Sequence, residues 1–184
     1  YVHQNIYKEF LQRFKTKAEQ MIVGDPTDPN TEIGPLASEE HHNKVVSYLD
    51  LQSDEKFNVL TGGKGEGWWI KPTILTDVNN EMRVSKEEIF GPVVGVQTFN
   101  TEEEAIRLAN DTTYGLNAML FTENVRRAHR VAGQLRAGTV WVNCFFIRDL
   151  RAPFGGFGDS GIGREGGKYS KEFFTEPKAV VMKL

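Results

Sequence analysis

The apolar residues of the chain recur with two spacings, of which the helical one covers more of the sequence. Four segments place apolar side chains three or four residues apart and are predicted as helices: residues 6–21, 38–51, 101–110 and 124–135. Gly24-Asp25-Pro26 should end the first helix, and Ser38 is a plausible N-cap for the second. In the third, Thr101 and Glu104 have the spacing of a capping box.

Short β-rich runs lie between these helices. The predicted strands cover residues 57–60, 93–99, 119–122, 137–143 and 178–184, and residues 61–67 form a hairpin or loop. Strands that alternate with helices predict an α/β layered fold with a mostly parallel sheet. The last strand has no local hairpin partner, which suggests that it pairs with another domain or subunit.

Composition excludes several classes of protein. The 184 residues are 39% hydrophobic and 26% charged, with a net charge of -3, as in an ordinary globular protein that has no pull toward nucleic acid. No apolar stretch approaches the ~18 residues of a membrane span. One cysteine rules out an internal disulfide framework and favours the cytoplasm. The chain does not begin with Met and has no signal peptide pattern, so we expect it to be cut from a longer protein.

A glycine-rich stretch carries the candidate chemistry. Seven glycines lie between Gly155 and Gly167, directly after the pairs Phe145-Phe146 and Arg148/Arg151. Glycine is concentrated where a backbone must turn or approach something closely. Apolar walls with a few placed cations suit a pocket for a small anionic ligand. Residues 156–161 also fit the dinucleotide pattern G-x-G-x-x-G, but Pro153-Phe154 precedes it where the fingerprint needs a strand, and only about two dozen residues follow, so we interpret that match as coincidental.

Three motifs, in order, resemble the NAD(P)-dependent aldehyde dehydrogenase superfamily. They are residues 86–93 (KEEIFGPV), residues 109–116 (ANDTTYGL) and PFGG at 153–156 followed by SGIGRE at 160–165. The resemblance extends over essentially the whole chain. It implies that residues 1–165 are the C-terminal portion of the family's catalytic domain, and that residues 166–184 are a tail with an oligomerisation strand at about 177–184. It also implies a homo-oligomer, dimeric or tetrameric.

The first motif implies a cofactor site. Glu88 and Phe90 match the family's E-x-F pair, in which the glutamate accepts hydrogen bonds from the nicotinamide ribose hydroxyls and the phenylalanine packs near the nicotinamide ring. The implied cofactor is NAD, with NADP as an alternative. On spacing alone, a solvated helix end before a turn would be the favoured interpretation of these acids, and the resemblance reverses it.

The loop after residue 143 departs from the apolar lining that many family members have there. Residues 147–151 (IRDLR) resemble the branch that acts on hydroxymuconic, carboxymethyl-hydroxymuconic and aminomuconic semialdehydes, which carry a carboxylate remote from the aldehyde. The resemblance implies that Arg148 binds that carboxylate, with Phe146 and Phe154 as further substrate contacts. Arg151 is expected to pair with Asp149 or another acid. The alternative is that both arginines form surface ion pairs.

The family's catalytic cysteine and glutamate are implied to lie outside this chain, so no catalytic residue is assigned within it. The implied reaction is oxidation of an aldehyde to an acid with NAD as hydride acceptor, and the isolated chain is expected to be inactive. The alternatives are a truncated fragment competent only for self-association through 178–184, or a non-enzymatic anion-binding module.

The remaining candidates are weaker. Cys144 has apolar neighbours and is expected to be a buried structural cysteine rather than a nucleophile. Asn143 closes a strand and is as compatible with capping the next loop as with a functional role. The four histidines lack metal-ligand spacing, so no metal is predicted.

Overall fold

The computed structural model describes residues 1–184, which divide into two compact units, 1–105 and 106–184. These units do not correspond to the two predicted segments, residues 1–165 and 166–184, and that division stays a prediction. The class is α/β, as expected. The pairings fall into three small sheets rather than one, and three of the four strand pairs are parallel.

The first unit is built on a hairpin of two seven-residue strands. The elements in chain order are β1 (Val2–His3), α1 (Gln4–Gln20), α2 (Glu39–Asp50), α3 (Gln52–Glu55), β2 (Asn58–Lys64), β3 (Ile70–Thr76), α4 (Arg83–Lys86), β4 (Val93–Gly95) and β5 (Thr98–Phe99). β2 and β3 pair antiparallel, and β4 runs parallel to β3. The Ser38 hydroxyl accepts a hydrogen bond from the His41 amide and caps α2 as predicted.

Helices cover both faces of this sheet because successive residues of a strand point to opposite sides. Ile74 packs in the cluster that contains Ala18 of α1, whereas Leu75 packs in the cluster that contains Val45 and Leu49 of α2. This second cluster is the larger core and includes Ile89.

The predicted strand over 93–99 is wrong in extent. It breaks after Gly95, and Val94 is 42% exposed. The first part pairs with β3, while Thr98 and Phe99 pair with Val2 and His3 of β1. The chain therefore changes partners within seven residues, which an apolar run cannot reveal.

The second unit is a parallel βαβ arrangement with a long loop region. The division at residue 105 falls within α5 (Glu102–Asn110), which begins at the predicted Thr101 cap. The later elements are β6 (Asn117–Leu120), α6 (Val125–Ala132), β7 (Thr139–Val142), a 3₁₀ turn (Gly158–Ser160) and α7 (Gly167–Phe174). β6 begins two residues earlier than predicted, and α7 lies in a glycine-rich stretch that was not predicted as helix.

Residues 175–184 form no regular element, so the predicted strand at 177–184 is not formed within the chain. Val180, Val181, Met182 and Leu184 are all at least 74% exposed. A strand needs a neighbour for its N–H and C=O groups, and this chain supplies none at that segment. Pairing of this tail with another subunit stays a prediction.

Candidate functional site

The E-x-F motif follows α4 in the first unit and is anchored by its middle residue. Ile89 is 8% exposed and belongs to the larger core cluster. Its two neighbours, Glu88 and Phe90, are exposed, and the Phe90 side chain retains 68% exposure. Burial of the middle residue thus presents a carboxylate and an aromatic ring at the surface.

Phe90 has a strained backbone that a neighbouring helix supports. Its φ is +62°, in the left-handed region that bulky residues avoid. The Nε2 of His41, in the first turn of α2, hydrogen-bonds the Phe90 carbonyl oxygen at 2.6 Å. A Cβ on Gly91 would meet the Val45 side chain at 2.9 Å, so this turn packs directly on α2. Strain of this kind persists only where the surroundings over-determine it, and it clusters at functional sites.

The two adjacent acids have different environments. Glu87 accepts hydrogen bonds from the Arg83 guanidinium at 2.7 and 3.0 Å and from the Tyr48 hydroxyl at 2.9 Å. The Arg83 hydrogen bonds, followed by the Tyr48 one, lower the pKa of Glu87 to about 2. The Glu88 carboxylate has no hydrogen-bond partner in the structure and is exposed. Glu88 therefore keeps its full capacity to accept hydrogen bonds, while its assignment as the cofactor contact stays a prediction.

In the second unit, Asn143 ties the end of β7 to the end of β6. Its amide oxygen accepts from the Thr122 N–H and its amide nitrogen donates to the Thr122 carbonyl, both at 2.8 Å. Its φ is +55°, so the chain turns sharply there. The Asn143 side chain therefore joins two strand ends and does not cap the loop that follows it, while a functional role for it stays a prediction.

An aromatic cluster organises the loop after Asn143. Trp141 is 5% exposed, and its ring lies 5.6 Å from Phe145 and 5.9 Å from Phe146, centroid to centroid. The Trp141 indole N–H donates to the Ile147 carbonyl at 2.9 Å. Phe146 has a φ of +57°, a second bulky residue in the left-handed region. The buried indole thus holds the loop that carries Arg148.

Arg148 lies with both aromatic residues predicted to accompany it. The centre of its guanidinium lies 4.2 Å from the Phe154 ring centroid and 5.8 Å from that of Phe146. Its Nη2 donates to Glu165 at 3.0 Å, and its side chain is 32% exposed. The three residues predicted as substrate contacts are therefore brought together, while their role stays a prediction.

Arg151 is placed differently. It pairs with Asp149 at 2.6 Å, as expected, and its side chain is 89% exposed. The hydrogen bonds from Arg151 lower the pKa of Asp149. Both arginines are thus ion-paired, as the surface alternative anticipated, but only Arg148 is also stacked on aromatic rings.

The geometry of Arg148 leaves capacity for a ligand. A guanidinium has five N–H donors in a planar fork, and the structure shows one hydrogen bond from this one. Stacking on Phe154 covers a face of the group and leaves its edge for an anion. A carboxylate is the anion whose two oxygens match that edge.

Cys144 is half-buried rather than buried, which corrects the expectation from its apolar neighbours. Phe145 and Phe146, which follow it in sequence, are themselves 62% and 57% exposed, so an apolar neighbour in the sequence does not imply burial here. No cluster of three His, Cys, Asp or Glu side chains that could hold a metal ion is present. No helix is long and apolar enough to cross a bilayer.

Sequence reasoning missed three residues that shape these sites: His41, Trp141 and Glu165. Their contacts join residues 49, 6 and 17 positions apart in the chain. Glu165 belongs to the SGIGRE motif at residues 160–165, yet nothing in that motif indicates that it contacts Arg148.

Comparison with known proteins identifies the family. The profile of the aldehyde dehydrogenase family matches residues 1–180. The chain belongs to the aldehyde dehydrogenase family. It is 50% identical to a 2-hydroxymuconic semialdehyde dehydrogenase of Pseudomonas sp. (strain CF600) and 45% identical to a 2-aminomuconic semialdehyde dehydrogenase of Bos taurus, with the whole chain matched in both cases. It spans 40% of the length of each of these aldehyde dehydrogenases.

Solved structures of the aldehyde dehydrogenase family have the same fold. A betaine aldehyde dehydrogenase from Staphylococcus aureus, crystallised in complex with NAD+, superposes with a TM-score of 0.90 at 40% identity. The match covers 94% of this chain and 36% of that one. The α/β expectation and the family resemblance are thereby confirmed.

Proposed function

We propose that the full-length protein carrying this sequence oxidises a carboxylated, muconic-type semialdehyde to the corresponding acid, with NAD as the cofactor. The observation that carries this proposal is the Arg148 guanidinium, stacked 4.2 Å from Phe154 and with most of its N–H donors unused. The names of the similar Pseudomonas and Bos taurus enzymes, both muconic semialdehyde dehydrogenases, support it.

In this proposal the second unit holds the end of the substrate remote from the aldehyde. Arg148 binds the remote carboxylate through two parallel N–H donors, and Phe146 and Phe154 contact the apolar part of the molecule. Fixing one end of a short, conjugated substrate also fixes the position of its aldehyde. Such positioning lowers the entropy cost of reaching the reactive geometry.

The first unit holds the nicotinamide side of the cofactor. Glu88 accepts hydrogen bonds from the ribose hydroxyls, for which its exposed carboxylate without a hydrogen-bond partner is suited. Phe90, fixed by the His41 bond to its carbonyl, packs against the nicotinamide ring. NAD, when bound, accepts the hydride released by the aldehyde carbon. These contacts do not discriminate NAD from NADP.

The nucleophile is proposed to come from outside residues 1–184. The only thiol here, Cys144, has no hydrogen-bonded base or adjacent cation in the structure, which a reactive thiolate needs. We therefore expect a polypeptide of these residues alone to produce no NADH from aldehyde and NAD. Detectable turnover by the pure polypeptide would contradict this assignment.

Arg148→Ala in the full-length protein tests the substrate assignment. Losing hydrogen bonds to a charged carboxylate costs about 1.5–3 kcal/mol, so the KM for 2-hydroxymuconic semialdehyde should rise about 10- to 150-fold. The KM for hexanal, which has no carboxylate, should barely change. Arg151→Ala is the matched control, because it removes an exposed arginine of the same loop that has its own partner. Equal effects of Arg148→Ala on both aldehydes would defeat the proposal.

The second candidate function is self-association without catalysis, favoured by the exposed apolar tail. Val181 and Leu184 are fully or almost fully exposed. In this alternative the tail pairs with a second copy and forms a homo-oligomer in the cytoplasm. Sedimentation of the chain with and without residues 178–184 tests it, since only the intact tail should give a dimer or a tetramer.

A further inference from the structure

Glu165 has no role in the function proposed above, yet its backbone is fixed beside the candidate substrate contacts. Glu165 and Phe154 form an antiparallel bridge, in which each N–H donates to the other's carbonyl at 2.8 Å. Because the two residues are paired, the backbone from which the Glu165 side chain extends lies next to Phe154.

The same two residues hold Arg148 from different directions. The Phe154 ring stacks on the guanidinium with the centres 4.2 Å apart, which restrains the distance of the guanidinium from the ring. The Glu165 carboxylate accepts from Nη2 at 3.0 Å, which restrains rotation of the guanidinium about its own axis. The ring contact and the hydrogen bond together limit the orientations that the guanidinium can adopt.

We propose that Glu165 is a positioning residue that orients Arg148, so that the remaining N–H donors of the guanidinium receive the remote carboxylate of the substrate. This inference rests on the proposed function. The Arg148 side chain is 32% exposed, so one edge is open while Glu165 occupies another donor. Glu165 contributes by holding the arginine and does not itself contact the reacting aldehyde.

Removal of Glu165 tests the proposal sharply. Positioning predicts weaker binding of carboxylated substrates, whereas removal of a competing negative charge predicts tighter binding. The Arg148–Glu165 pair is neutral overall, so an incoming carboxylate meets a competing negative charge. If competition dominated, removal of Glu165 would tighten binding of carboxylated substrates. If positioning dominates, its removal weakens their binding, because the freed guanidinium samples orientations that do not match the substrate.

The experiment measures selectivity in the full-length protein, as kcat/KM for 2-hydroxymuconic semialdehyde divided by kcat/KM for hexanal. Glu165→Ala should lower this ratio about tenfold, mainly through KM for the carboxylated aldehyde, as expected for one lost hydrogen bond to a charged group. Glu165→Gln keeps an oxygen that accepts the same bond and should restore the ratio to within about threefold of wild type.

Further variants separate positioning from structural damage. Glu165→Asp retains the charge but shortens the reach to Arg148, so it should show the same drop as Glu165→Ala, and it decides the matter if the alanine variant does not fold. Arg148→Ala/Glu165→Ala should lose no more selectivity than Arg148→Ala alone, because the two act through one contact. Arg151→Ala, which removes the exposed pair with Asp149, should leave the ratio unchanged.

Two results overturn the inference: equal losses for both aldehydes in Glu165→Ala, or a lower KM for the carboxylated one. Failure of the proposed function looks different. In that case Arg148→Ala itself leaves the selectivity ratio unchanged. Selectivity that depends on Arg148 but not on Glu165 would reject this inference and leave the proposed function standing.

Discussion

Gly138→Ala adds one methyl group at the place where β7 passes the PFGG loop. A Cβ at residue 138 would lie 1.7 Å from the Gly155 carbonyl oxygen, and 3.4 Å from that of Leu116. The obstacle is main chain and cannot rotate away like a flexible side chain. To restore an ordinary contact of about 3.4 Å, the strand and the loop must separate by about 1.7 Å.

The magnitude follows from this displacement. Overpacking usually costs about 1–3 kcal/mol, and a clash with fixed backbone lies at the upper end, so we expect about 2–3 kcal/mol of destabilisation. For a chain of 150–250 residues, each kcal/mol corresponds to about 2–4 °C of melting temperature, so a loss of about 2–3 kcal/mol predicts a drop of about 4–12 °C. Because Gly155 follows Phe154, the shift also disturbs the ring on which Arg148 stacks.

Thermal and urea unfolding of the 184-residue chain measure this effect, with Gly133→Ala as the matched control. Gly133 has φ -69° and ψ -16° at the end of α6, a conformation that alanine adopts freely. Alanine is favoured over glycine in a helix by about 0.5–1 kcal/mol, so the control should be neutral or slightly stabilising. If Gly138→Ala behaves like the control, to within about 0.5 kcal/mol, residue 138 has room for a methyl group and the argued clash with the Gly155 carbonyl is refuted.

Three further substitutions test other contacts. Trp141→Phe keeps an aromatic ring but loses the N–H that donates to the Ile147 carbonyl. The free energy of unfolding should therefore fall by about 1 kcal/mol, and amide hydrogen exchange in the loop after Asn143 should become faster. Unchanged exchange would show that this hydrogen bond does not hold the loop. His41→Ala removes the hydrogen bond to the Phe90 carbonyl. The Kd of the full-length protein for NAD, measured by calorimetry, should rise about fivefold, with no change in KM for aldehyde. An unaltered Kd would show that His41 does not support Phe90 as a cofactor contact. Glu87→Gln should destabilise the chain near neutral pH, because the pKa of Glu87 in the fold is about 2, below its ordinary 4.5. That difference should shrink as the pH falls from about 4.5 towards about 2, and a difference that grows in acid would reverse the assigned sign.

Local contacts explain what could be predicted from the sequence. The helices, the Ser38 cap and the Thr101 cap depend on residues within four positions of one another, and all are found in the structure. The pairing of Arg151 with Asp149, two positions apart, is equally local. The motifs identified the family because they record side-chain types at fixed spacing, which folding does not alter.

The candidate site itself depends on contacts between distant residues. Only the tertiary structure placed Glu165 against Arg148 and His41 against the Phe90 carbonyl, because those pairs meet through the closure of long loops. It also distinguished Glu87 from Glu88, since the Tyr48 hydroxyl, 39 positions away, donates to the first acid alone.

The sequence by itself therefore determined the α/β class, most of the helices and the family, since periodicity, caps and motifs are properties of neighbouring residues. The tertiary structure decided where the run over 93–99 changes partners and which acid Arg148 contacts. It also showed that the apolar tail has no partner within the chain. Each of these depends on which distant groups compete for the same hydrogen bonds and the same apolar surface, and that competition is settled only when the chain has folded.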